Sequence, residues 1–125
     1  METKFKFELG HLYKITYCEK FRNATDPITV ITSFTKDTPW HLEFGHPYDI
    51  KKQRTVAGGL GIREGEFIKI EPVQSEETRI WIEALVEFRE SLAKANHSDW
   101  TKEDRIIPYL GETYVYEENK HLIEA

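Results

Sequence analysis

Over its first 35 residues the chain alternates apolar and polar positions with a period of two, the pattern of strands buried on one face. Phe5, Phe7 and Leu9 form the first run, which Gly10 ends. Tyr13, Ile15 and Tyr17 form the second, with Lys14 and Thr16 on the other face. The third, residues 28 to 35, is rich in β-branched side chains that suit a pleated sheet. Short polar residues and proline at 23–27 and 36–39 supply turn chemistry between the runs. Together they predict an antiparallel meander.

Further along, residues 40–44 predict a short strand closed by Gly45 and Pro47, and residues 66–70 another that ends at Pro72. The period then changes. Ser75 is a good N-cap, and Glu76 and Glu77 complement the positive end of a helix. Trp81, Leu85, Phe88 and Leu92 fall on one helical face, which Ile82 widens, so an amphipathic helix is expected over about 76–95. A short helical turn is expected over 98–104, and a last strand at 113–116, followed by a short helix or tail to Ala125. Such a helix must bury its apolar stripe, and the sheet offers the surface. The expected fold class is therefore α+β, a single domain over residues 1–125. Its curved antiparallel or barrel-like sheet is packed by one main helix.

Four of the chain's seven glycines, Gly58, Gly59, Gly61 and Gly65, lie within eight residues. Glycine gathers where the backbone needs positive φ or where something approaches it closely. The cluster fails both phosphate-binding tests. No lysine follows at the P-loop spacing, and Gly59-Leu-Gly61 leads to Gly65 one residue late and into a strand, with no helix N-terminus to hold a pyrophosphate. Residues 61–70 resemble the turn into a strand of many small β-barrels, a likeness that implies fold and not function. The cluster is thus a hairpin corner or a ligand loop, in which Arg54 and Arg63 could join backbone amides around an anion.

His41, Glu43 and His46 place two imidazoles and a carboxylate within six residues, a candidate metal set of two histidines and one carboxylate. The zincin spacing is absent, and the cysteine pair of zinc deaminases cannot be formed from Cys18 alone. No nucleophile elbow is present. Trp40 and Tyr48, bracketed by proline, glycine and charge, are candidates for an interface, where Trp and Tyr dominate binding energy. Tyr114 and Tyr116 read as core of the last strand.

Composition narrows the classes. At 39% hydrophobic and 31% charged the 125-residue chain is globular and long enough to bury a core without staples. No apolar run reaches the roughly 20 residues that cross a bilayer. The N-terminal residues lack a signal-peptide pattern, and one cysteine rules out an intramolecular disulfide, so a cytoplasmic location is expected. Net charge is −5. Residues 75–125 hold 12 acidic against 6 basic side chains, while the first 74 are near balance. That distribution disfavours nucleic acid as a partner. The expectation is a small non-catalytic binding protein. It would act through protein–protein contacts of its Trp40–Arg63 loops or its acidic C-terminal face, and no cofactor is expected. The alternative is an anionic metabolite or nucleotide held by Trp40, Tyr48, Arg54, Gly58, Gly59, Gly61 and Arg63, and a metal-dependent enzyme using His41, Glu43 and His46 ranks third. Exposed edge strands leave homo-oligomerisation open.

Overall fold

The computed structural model describes residues 5–19, 26–56, 58–96 and 110–122. Its elements run β1 (Leu12–Tyr17), β2 (Ile28–Asp37), β3 (Leu42–Phe44), β4 (Tyr48–Asp49), β5 (Arg54–Thr55), β6 (Leu60–Ile62), β7 (Phe67–Glu71), α1 (Ser75–Asn96) and α2 (Leu110–Asn119). The fold is α+β: an antiparallel seven-stranded sheet, curved but not closed, with α1 packed against it. The turn at 23–25 and the helical turn expected over 98–104, with Trp100 and Tyr109, lie outside the described residues. Among the described residues no helix is long and apolar enough to cross a membrane.

The main path of the sheet is β5-β4-β2-β1-β7. In β1, alternation does what the sequence requires. Ile15 and Tyr17 turn to one face, where they meet Val30, Leu42, Phe44 and Ile62 in a first core. Leu12 and Ile31 turn to the other face and join Trp81, Ile82, Leu85 and Val115 in a second core beneath the helices. A bulge at Ile68 shifts the β1–β7 register between Lys69 and Phe67 and keeps Phe67 and Ile70 both against the first core. Lys14 Nζ, on the helix side, reaches Glu77 Oε2 of α1 at 2.9 Å and ties sheet to helix.

Two expectations about local structure are corrected. Phe5, Phe7 and Leu9 form no strand; only Phe7 is buried, and Phe5 and Leu9 stay exposed. The Phe7 ring inserts edge-on to Phe44 at 5.2 Å and stacks near Phe34 and Phe67, so it serves the core as a plug entering from a loop. Residues 113–116 are not a strand but the middle of α2. Glu112 and Val115 lie three apart and are buried, while Tyr114 is 50% exposed. Helical spacing against the sheet overrides the strand preference of Tyr-Val-Tyr.

Candidate functional site

Strand β2 is ten residues long and changes partner along one edge. Its first half pairs with β4, through Val30–Asp49 and Ile31–Tyr48. Its second half pairs with β3, through Phe34–Phe44 and Asp37–Leu42, and β3 in turn carries β6. The division falls at Gly45, His46 and Pro47, between β3 and β4. From there the β4–β5 hairpin and the β3–β6 arm go separate ways, and the glycine-rich segment crosses between them. A cleft of about 740 Å³ lies in the gap.

Tyr17, Ile28, Val30 and Pro47 give this cleft apolar walls, and Gly59, Leu60 and Gly61 form one side. Its charged lining is mixed: Glu19, Asp49 and Glu66 against Lys52 and Arg63, with His41 nearby. The two cations are exposed, whereas Asp49 is only 7% and Glu66 only 6% exposed. Each buried carboxylate is fixed by a backbone amide of its own turn. Lys52 N donates to Asp49 Oδ1 at 3.1 Å, and Arg63 N donates to Glu66 Oε1 at 2.9 Å. The Glu66 bond belongs to a 3-10 turn, Glu64–Glu66, that joins β6 to β7.

The glycines shape this wall. Gly58 holds φ +81°, a left-handed conformation that costs other residues about 1 kcal/mol. At Gly61 a Cβ would come within 2.9 Å of His41 Cδ2, so the strand passes directly beneath the imidazole. The segment thus turns the chain and walls one side of the cleft.

The candidate residues separate into four places. Gly59, Gly61, Arg63 and His41 line the cleft. Trp40 stands one residue before His41, at the tip of the β2–β3 hairpin, and is 73% exposed. Tyr48 points to the opposite face and packs on the second core. Arg54 lines a different groove, between β5 and α1, with Phe88 and Glu87.

The three metal candidates also part. His41 Nε2 lies 3.3 Å from Glu43 Oε1, and Lys36 Nζ approaches the other Glu43 oxygen at 3.7 Å. His46 is buried under the helices, where its amide and Nδ1 both meet Glu112 Oε1 and its ring lies 5.4 Å from that of Phe88. Among the described residues no three His, Cys, Asp or Glu side chains gather as a metal site.

The acidic C-terminal portion is partly neutralised. Arg79 bridges Glu76 and Glu83 along α1, and these carboxylates hold its guanidinium even more firmly protonated than usual. Hydrogen bonding from Lys14 lowers the Glu77 pKa, and the same bond raises that of Lys14.

Sequence reasoning missed Asp49, Glu66 and the Glu112–His46 pair. A signal existed for Glu66, since an acidic residue three positions after Arg63 can cap the turn it opens. None existed for Glu112, which meets a partner 66 residues away. No family model, no curated protein and no solved structure matches this chain.

Proposed function

We propose that this chain is a non-catalytic binding protein whose partner is another protein, engaged through the Trp40–Arg63 loops. The observation that carries the reading is the exposure of Trp40 at a hairpin tip beside a cleft. An indole left 73% in water contributes little to folding. The same side chain is among the best sources of binding energy once a partner covers it. Around it, the cleft supplies apolar walls and fixed polar groups, the mixture found at the centre of recognition surfaces. The single cysteine, buried in the described structure, suits a reducing compartment such as the cytoplasm.

A small anionic ligand at the glycine loop is the second reading, favoured by Lys52 and Arg63 on the cleft rim. Asp49 and Glu66 in the same cleft oppose an anion, which ranks this reading below the first. It predicts a thermal shift with an anionic compound that Arg63→Ala removes.

Affinity capture with the immobilised protein tests the leading reading. A partner held by the wild type should be lost with Trp40→Ala and kept with Glu117→Ala, on the exposed face of α2. Partners that Trp40→Ala leaves in place contradict it.

A further inference from the structure

We infer that Thr38 is a positioning residue for recognition: its hydroxyl sets the hairpin tip so that Trp40 meets the protein partner already oriented. The inference rests on the protein-binding reading and adds the residue that prepares its anchor. Strands β2 and β3 stay paired to Asp37–Leu42, which leaves Thr38 and His41 to close a loop of two residues, Pro39 and Trp40. Two-residue hairpin loops favour turns with positive φ at one or both central positions, because their twist matches that of the strands. That conformation is denied here. The pyrrolidine ring fixes the φ of Pro39 at about −65°. Among the described non-glycine residues only Gln53 has a positive φ, so Trp40 does not adopt it either.

The Thr38 side chain holds the turn instead. Thr38 N donates to the His41 carbonyl at 3.0 Å, and Thr38 Oγ1 donates to the same carbonyl at 2.7 Å. Oγ1 also accepts from His41 N at 3.1 Å and from Trp40 N at 3.3 Å. One hydroxyl thereby ties both amides that follow the proline, the local bonding that threonine offers a turn. The Trp40 backbone is held by the ring before it and by the hydroxyl on its own and the next amide. Its Cα–Cβ direction is therefore set before any partner arrives. The indole takes no part in this. It is 73% exposed and makes no ring contact or hydrogen bond among the described residues. Order is placed in the backbone beneath a side chain that folding leaves bare. Ordering a loop and its side chains is a cost of association, and a tip set beforehand leaves only the two torsions of the indole to be fixed.

The test pairs a measurement of dynamics with capture, both on the full chain. By NMR, the wild-type Trp40 and His41 amides should show heteronuclear NOE values as high as those of β2. Thr38→Val keeps the branched shape and removes the hydroxyl, so it should lower both values while resonances outside residues 36–43 stay in place. Thr38→Ser should restore them. The binding probe is the extract protein whose capture by the wild-type chain is abolished by Trp40→Ala. Thr38→Val should weaken its capture about fivefold or more, read as depletion at stepped amounts of immobilised chain, and Thr38→Ser should recover the wild-type value. A merely structural turn residue would shift the urea midpoint of Thr38→Val and leave capture by the folded protein unchanged. A wild-type tip as loose as a chain terminus, tip amides unmoved by Thr38→Val, or undiminished capture by that variant overturns the inference. The protein-binding reading then still stands on Trp40→Ala. If no protein depends on Trp40 for its capture, that reading falls, and the inference falls with it whatever the rigidity of the tip.

Discussion

Glu112 of α2 reaches the turn between β3 and β4 and takes both the backbone amide and the ring Nδ1 of His46 on one carboxylate oxygen, Nδ1 at 3.1 Å. Nδ1 also lies 3.4 Å from the other carboxylate oxygen. Glu112 is fully buried, and the pair pins α2 to the point where the sheet divides. Trp81 Nε1 adds a hydrogen bond to the His46 carbonyl from α1 at 3.3 Å. The two helices thus fix the hinge from which the cleft opens.

Removing Glu112 should be costly. Glu112→Ala leaves the buried His46 amide and imidazole without their partner and a cavity behind them, a loss of about 3–5 kcal/mol by the cost of breaking a buried pair. Glu112→Gln keeps an acceptor and should lose less than half of that. Urea unfolding of the two variants checks the ranking.

Gly45 is coupled to the same carboxylate. A Cβ at position 45 would stand 2.3 Å from Glu112 Oε1, so Gly45→Ala must displace the carboxylate or the strand. Gly45→Ala should be strongly destabilising alone and clearly less so in a background that already carries Glu112→Ala. A double-mutant cycle should therefore show coupling of about 1 kcal/mol or more, where independent sites would add.

The sheet and α1 were legible because their patterns are long and regular. Residues 12–17, 28–37 and 75–96 carry the two periods over many positions, and tertiary packing agrees with them. The failures lie where three residues had to decide. Tyr114-Val-Tyr116 prefers a strand locally, but burial of Glu112 and Val115 on one helical face prevails. Phe5, Phe7 and Leu9 alternate like a strand, yet only Phe7 finds a place in the core. Of the site, the glycine wall, His41 and Arg63 were visible in the sequence. Tyr48 is next to Asp49 but packs on the second core, since one step along a strand reverses a side chain, and Arg54, at the β5 edge, lines the groove against α1. Asp49 and Glu66 could not be singled out among 22 acidic residues until the fold buried them.

The Lys14–Glu77 bridge makes a pH-dependent contribution from two directions. The Glu77 carboxyl is lowered from its ordinary 4.5, chiefly by the Lys14 hydrogen bond. That stabilisation is complete above 4.5 and is lost as pH falls through the lower folded value. Lys14 is raised from its ordinary 10.5, chiefly by the same bond, so its contribution is present below 10.5 and is lost as pH rises through the higher folded value. Lys14→Met should cost about 0.5–1 kcal/mol at neutral pH, as a partly exposed pair does. Its stability curve should approach the wild-type curve in acid, below the ordinary carboxylate range. Chemical unfolding at stepped pH follows the convergence.

Two tryptophans should behave oppositely. Trp81 is buried between helix and sheet, and Trp81→Ala should cost about 3–5 kcal/mol. Trp40→Ala should change stability by less than about 0.5 kcal/mol, as surface substitutions do. Calorimetry of both variants separates folding from recognition, and a large loss at Trp40 would remove it as a free contact residue.

Site-specific photo-crosslinking tests the binding surface most directly. A benzophenone amino acid replaces Trp40 in one variant and Tyr114, exposed on α2, in another. The cleft-side face being the interface, position 40 should give one discrete adduct with a partner protein in cells, and position 114 should give none of that mass. The same adduct from position 114, or none from position 40 in cells where the partner is captured by the wild-type protein, contradicts it.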